Sequence, residues 1–541
     1  MIISTLCLAM ALSSIPVDEA PVGARGWGLT VFQGTRPDTF GVEVIGTLRG
    51  SVVGESRVLV RLTGELAEST GVAAGMSGSP VYVGDRLLGA LASTFANVTE
   101  PVGMVTPIAA MLRPDSTWTV PPGGLPLPMT GSSLGFETDA LRTLSTGLPA
   151  DISFTGGSRG DAPAGLEPGH VAAAVLVDGD WSLSILGTVT WRSGDQVAAF
   201  GHQLFGFGPV ELPLASGSVI ATVANRALPF KMTNAGSVVG SVTYDGPNGV
   251  LGYVGRMAPT LPLTIAPPRP NAPALNLRLA IHPLLTPLLL RVCVQNCGGL
   301  WGGAGVTATS ARMTVRFADG SSRDVERAAS GSGAFSQLSE ELARLIDGVL
   351  NCPLGRVAPE SVSISFSAPP DHGVYYLESV AVNGGRGFAD EERSVTVRFL
   401  RREGGPVVRT VHMALPPGTA ERRLLLQAGD AASVAQWERE RAALSYMPNS
   451  VEHYLDVLFS IRRPDRFYLR ILTDDRGWSR RGGEVTRLPP SMTRILGRSP
   501  QRGLHDLTTV SVVSTAEITL DGPVYGSAII DLAAPKEGLV P

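Results

Sequence analysis

The residues best suited to chemistry lie in GVAAGMSGSPVYVGDRLLGALAS, residues 71 to 93. Ser77 stands in the turn Gly75-Met76-Ser77-Gly78-Ser79-Pro80. Glycine admits backbone conformations closed to other residues, so successive N–H groups can converge beside the serine hydroxyl. Acyl transfer needs that pairing: a hydroxyl nucleophile next to donors for the oxyanion of a tetrahedral intermediate. The same composition also suits a tight turn leading into a hairpin. A serine nucleophile needs a base. Among seven histidines, His202 stands out in DQVAAFGHQLFGFGPVELP, where an apolar run ends and a loop with Gly206 and Gly208 begins. His170, in EPGHVAAAV, is a lesser candidate at a strand start. The other five lie further along the chain, where packing and surface roles are the default. Taken alone, His202 also reads as a hydrogen-bonded loop histidine.

The elements that must position these residues read as strands. The chain has 541 residues, 44% of them hydrophobic, enough for more than one core. Its 64 Gly and 41 Pro separate many short Val/Thr/Leu-rich runs, which favours a mainly β fold with frequent turns. Residues 24 to 110 alternate strands and turns, with a hairpin around Gly84-Asp85-Arg86. The Pro/Gly-rich stretch 113–133 reads as a surface crossover or linker. Strands resume from 170 to 223 and continue towards 260. Two short likenesses, GSVVG at 50–54 and 236–240, and VIGTL (44–48) with ILGTV (185–189), match what two similar barrels would leave; common strand residues also produce such matches by chance.

APPRPNAPA, residues 266–274, marks a boundary. Beyond it, strand spacing suits a β-sandwich-like region with one helix over 275–415, followed by a mixed helix/strand region over 416–541. Leu338, Leu342, Leu345, Ile346 and Val349 share one helix face. A helix is expected to start at Asn449 with Glu452, carrying the stripe Val451, Leu455, Leu458 and Phe459. The final segment reads as two closing strands.

The apolar run Ile2–Leu12, with the small residues Ala11, Ser13 and Ser14 at its end, has the pattern of a signal peptide within residues 1–20, without the usual preceding Lys or Arg. Secretion to the periplasm, the cell envelope or beyond is the corresponding expectation, with no integral membrane span after signal removal. A formal net charge of −4 gives no basic field for nucleic acid. The cations are almost all Arg; the only lysines are Lys231 and Lys536. With Cys7 in the leader, an exported chain could pair Cys293 with Cys297 or Cys352. Three thiols without a nearby His make a poor zinc shell, so no metal is expected, and no nucleotide-cofactor fingerprint appears.

TGVAAGMSGSPVYVGDRLLGAL resembles the nucleophile segment of the SpoIVB (stage IV sporulation protein B) serine peptidases. LGTVTWRSGDQVAAFGHQLFG resembles the histidine segment of the same family, with its Gly-Thr-x-Thr strand and a Phe-Gly-His pattern shortened to Phe200-Gly201-His202. The resemblance covers roughly residues 24 to 260 and implies a chymotrypsin-like double β-barrel over 21–265. It implies Ser77 as nucleophile, His202 as general base, and the Gly75 and Ser77 amides as oxyanion hole. The order of the two segments is reversed relative to the family, which implies permuted halves. The family's Asp before the Gly-Met-Ser-Gly-Ser-Pro run is missing; Glu65 is the nearest carboxylate, and Asp195, in the turn Ser193-Gly194-Asp195, is the other candidate acid. No segment resembles the family's PDZ domain. The expected function is an exported serine endopeptidase acting on a protein or peptide substrate in a regulatory role. The alternative is a degenerate, non-catalytic cell-envelope binding protein on the same scaffold.

Overall fold

The computed structural model describes residues 14–49, 56–95, 98–113, 125–127, 129–150, 152–157, 165–225, 229–269, 272–301, 308–368, 373–383, 392–415, 423–441, 447–473, 477–480, 483–485, 489–496, 504–507 and 511–532. The fold is mainly β. The chain divides into two compact units: Met1–Leu263 with Leu275–Asn296, and Thr264–Ala274 with Cys297–Pro541.

The first unit contains two closed antiparallel barrels of six strands. Barrel one comprises β1 (Arg25–Thr30), β2 (Asp38–Leu48), β3 (Arg57–Thr63), β4 (Pro80–Val83), β5 (Arg86–Thr94) and β6 (Val102–Pro107). Three further strands follow: β7 (Leu125–Pro126), β8 (Met129–Leu134) and β9 (Ile152–Gly156). Barrel two comprises β10 (Val171–Gly179), β11 (Ser182–Ser193), β12 (Gln196–Ala199), β13 (Gly208–Val223), β14 (Phe230–Gly246) and β15 (Gly249–Val254). Around barrel one the order is β1-β2-β3-β6-β5-β4, and β4 pairs with β1 to close the ring. Around barrel two it is β10-β11-β12-β15-β14-β13, closed by β10 with β13. Strand for strand, the two connectivities are identical. VIGTL and ILGTV fall on the second strand of each barrel, β2 and β11, whereas the second GSVVG lies on the fifth strand, β14, and the first lies outside the described residues. The likeness of VIGTL and ILGTV therefore occupies the same strand of each barrel.

Period-two burial explains why these runs form barrel walls. In β2 and β3, Phe40, Val42, Val44, Val58, Val60 and Leu62 are buried, with more exposed residues between them. They share a core with Val81, Leu88 and Val105. Val171, Ala173, Val175, Leu186, Ala215 and Val219 build the corresponding cluster around barrel two. The hairpin expected at Gly84-Asp85-Arg86 joins β4 to β5, with Gly84 at φ 58°.

Residues 14–20, which the leader was expected to include, belong to this packing. Ile15 and Ala20 are buried in the barrel-one core. The Ser14 carbonyl accepts from Nε and Nη2 of Arg86 at 3.1 and 2.8 Å. The apolar run Ile2–Leu12 lies outside the described residues.

In the second unit the sandwich is assembled differently from expectation. One four-stranded sheet takes Tyr375–Asn383, Glu392–Arg401, Val407–Ala414 and Val524–Tyr525. The other takes Leu424–Gly429, Arg466–Thr473, Ser511–Thr519 and Ser527–Asp531. Their apolar faces share one core, including Val397, Phe399, Leu426, Phe467 and Ile518. The sandwich thus draws on both sides of the expected boundary at 415, because the strand pairing that closes a sandwich is long-range. The helix Ala334–Leu350 buries all five residues expected on its core face. The later helical region is two helices, Ala431–Arg441 and Val451–Phe459. The second is capped by Ser450 rather than Asn449: Ser450 Oγ accepts from His453 N at 3.1 Å. Among the described residues no helix is long and apolar enough to cross a membrane.

Candidate functional site

Ser77 lies between the third and fourth strands of barrel one, and His202 between the third and fourth strands of barrel two. The turn bearing Ser77 is wound by its own bonds: Met76 N donates to Ala73 O at 3.0 Å, and Ser79 N to Met76 O at 2.9 Å. It is tied to β5 by Gly78 N to Leu91 O (2.8 Å) and Leu91 N to Ser79 O (2.9 Å). Barrel two takes its carbonyls. Thr188 N donates to Ser77 O at 2.7 Å, Thr188 Oγ1 to Gly75 O at 3.1 Å, and Thr190 Oγ1 to Gly78 O at 2.7 Å. These threonines are those of the Gly-Thr-x-Thr strand, so that motif serves to hold the turn. The amides of Gly75 and Ser77 donate to no acceptor among the described residues. A buried N–H left unused is uncommon, and here two of them flank one peptide.

Two glycines are obligatory here. Gly75 has φ 92° and Gly78 φ 93°. A Cβ on Gly78 would stand 1.9 Å from Thr188 O and 2.5 Å from Phe200 N.

His202 follows Phe200 and Gly201, at φ 69° and 71°; Phe200 is the one non-glycine residue with positive φ among the described residues. For a bulky residue this conformation costs about 1–3 kcal/mol and persists only where the surroundings impose it. Phe200 is fully buried, and its ring fills the space that Gly187 leaves open. Gly201 packs on Ala90 and Ala92, and its carbonyl accepts from Thr106 Oγ1 at 2.7 Å. The histidine loop is therefore clamped to barrel one.

The His202 ring is 3% exposed. Nδ1 lies 2.7 Å from Gln203 O, an acceptor, so the neutral ring carries its proton on Nδ1 and a lone pair on Nε2. Burial pushes the imidazole pKa down, with the Gln203 bond opposing, and so favours the neutral base. Ser77 Oγ and His202 Nε2 are both buried without a hydrogen-bond partner, hence not bonded to each other. Among the described residues no carboxylate bonds the ring.

The two carboxylates expected as acids lie elsewhere. Glu65 starts the short helix Glu65–Thr70 and is exposed. Asp195 is exposed in the β11–β12 turn, at the opposite end of β12 from His202. Neither bonds the histidine. The carboxylate at this loop is Asp245, at the end of β14 and fully buried. It accepts from the amides of Leu204 (2.7 Å), Phe205 (2.8 Å), Gly206 (2.9 Å) and Phe207 (3.4 Å). Burial pushes its pKa up against the lowering by those four donors. In sequence, Asp245 sits in YDGPNG and reads as hairpin punctuation; only the barrel's closure places it under the histidine loop.

Lys231 completes the surroundings. Its amide donates to Ala74 O at 3.0 Å, and its Nζ to Thr30 Oγ1 at 2.7 Å. Its stem runs beneath Gly75. Burial pushes the ammonium down to about 7, with Asp38 opposing. Between there and its ordinary 10.5, the unfolded chain holds a proton that the folded chain lacks. Stability therefore rises with pH across that window, by at most about 1.4 kcal/mol per pH unit. Lys231→Met is expected to flatten that slope, read as urea midpoints at pH 7, 8 and 9.

No protein-family model, no curated protein and no solved structure matches this chain.

Proposed function

We propose that this chain is an exported serine endopeptidase of the SpoIVB type with its two barrels exchanged in order. One observation carries the reading. Two barrels of identical connectivity carry, in the loop after their third strand, one a serine beside two unused amides and the other a histidine whose Nδ1 faces a carbonyl, and the two loops approach where Gly78 meets Phe200. Ser77 Oγ attacks a peptide carbonyl carbon while its proton passes to His202 Nε2. The oxyanion is received by the Gly75 and Ser77 amides. Collapse breaks the C–N bond, and the proton on Nε2 goes to the leaving nitrogen. Water then attacks the acyl-serine with the same base, releasing a carboxylate and regenerating Ser77. Asp245 acts as a positioning residue, holding the His202 loop through its four amides.

A second reading has its own observation: Ser77 and His202 make no hydrogen bond and no carboxylate orients the ring, as in a binding protein on a peptidase scaffold. Catalytic hydrogen bonds are often long before substrate arrives, so the two readings part in solution. A fluorophosphonate is expected to label the intact protein and leave Ser77→Ala unlabelled. Equal labelling of both removes Ser77 as nucleophile; no labelling of either supports the binding protein.

A further inference from the structure

The linker-like stretch expected at 113–133 includes a strand that lies against the site. β4 leaves β5 at Pro80 and becomes the nucleophile turn, whose Gly78 and Ser79 bond Leu91. The edge of β5 that β4 vacates is taken by β7. Leu127 N donates to Ala92 O at 3.0 Å, Pro126 faces Ser93, and Leu125 faces Thr94, all antiparallel. Going from Leu125 to Leu127 the segment advances along β5 towards Leu91, so its C-terminal end points at the turn bearing Ser77. Leu127 is 1% exposed, in the cluster of Val72, Ala73, Met76 and Leu91. Three residues on, Thr130 reaches the other side of the turn: its Cγ2 is 2.9 Å from where a Gly75 Cβ would stand, and its Oγ1 donates to Lys231 O. Leu127 and Thr130 thus stand on the Ala92 and the Gly75 sides of the turn bearing Ser77.

We infer that the edge of β5 beside Leu91 is the peptide-binding site of this protein, that it takes an extended segment with a leucine-sized apolar residue before the bond presented to Ser77, and that the chain's own Leu125–Leu127 fills it as a built-in occupant. This rests on the peptidase reading for its chemistry, but the binding itself does not. Strand addition to an open edge supplies main-chain bonds, and the buried pocket supplies the selectivity. The sequence after Leu127 explains why the occupant persists. The next residue is Pro128, whose ring puts a carbon on the nitrogen that a histidine must approach to protonate the leaving group.

The test compares fluorophosphonate labelling of the full chain with that of Leu127→Gly. Emptying the pocket is expected to speed labelling of Ser77 at least about tenfold, and a blocked Gly-Leu-Pro-Leu peptide to slow it again. A folded Leu127→Gly protein that labels at the original rate overturns the inference and leaves the peptidase reading standing. If neither protein labels, the peptidase reading fails, and anisotropy of a fluorescent Gly-Leu-Pro-Leu decides the site. Saturable binding to Leu127→Gly, absent from the original chain, upholds it; no binding overturns it. Should Leu127→Gly not fold, Pro128→Ala decides. Water is expected to add across the bond after Leu127, giving a carboxylate there and an amine on residue 128, seen as two fragments by intact mass and abolished by Ser77→Ala. An uncut Pro128→Ala chain whose Ser77 still labels overturns the inference.

Discussion

Gly78→Ala is expected to destabilise the first unit by about 2–5 kcal/mol and to abolish labelling of Ser77. Two costs combine. The residue sits at φ 93°, which a side chain adopts only under strain. The new methyl would also meet Thr188 O at 1.9 Å and Phe200 N at 2.5 Å, both backbone atoms that no rotamer change can move aside. Relief requires the turn bearing Ser77 to part from β11, breaking the bonds that Thr188 and Thr190 donate to its carbonyls. Gly84→Ala, at φ 58° with no atom within 4 Å of its Cβ, is the control and should cost only about 1 kcal/mol. Chemical denaturation of the two variants checks this. A Gly78→Ala protein as stable as Gly84→Ala would mean that the two barrels do not meet at this turn.

The second large effect belongs to Asp245. Asp245→Asn replaces one acceptor oxygen by an NH2 group, which faces the amides of Phe205, Gly206 and Phe207 or of Leu204, depending on its flip. At least one buried donor then loses its acceptor and meets another donor. Each such loss costs about 1–3 kcal/mol, so a melting temperature lower by several degrees is expected, at about 2–4 °C per kcal/mol. Because the loop carries His202, Ser77 labelling is expected to slow about a hundredfold or more, a loss of the kind a 1 Å displacement of a catalytic group brings. Asp245→Glu, which keeps both acceptor oxygens, is expected to recover part of the labelling where Asn does not. Glu65→Gln and Asp195→Asn are expected to leave labelling and melting unchanged, both being exposed and unbonded to His202. Loss of labelling in either, with Asp245→Asn normal, would return the role of acid to the residue affected.

Much of what is local proved legible in the residues alone. The alternation in β2 and β3, the two-residue turn at Gly84, and the apolar face of the helix Ala334–Leu350 follow from side-chain periods of 2 and 3.6, which a linear pattern carries. The Gly-Met-Ser-Gly-Ser-Pro turn and the Phe-Gly-His loop were equally visible, because glycines requiring positive φ sit within a few residues of the groups they expose. By contrast, nothing in the linear pattern singles out Asp245, and Leu125–Leu127 reads as linker. Ser14–Ala20 read as leader, and the sandwich was drawn with its boundary at 415.

In each of these cases the partner lies far along the chain. Asp245 meets amides about forty residues before it, Leu127 meets Ala92, Ile15 meets Leu87, and Val397 shares a core with Phe467. Sequence alone determined that this protein is built mainly of strands and that it carries a serine among glycines and a loop histidine. The closure of two rings with the same connectivity decided the rest: that these two loops approach one another, that a buried aspartate grips one of them, and that Leu125–Leu127 pairs with β5. Side-chain period sets which face of a strand is buried, but which strand it meets is decided only when distant segments pay the entropy of closure together.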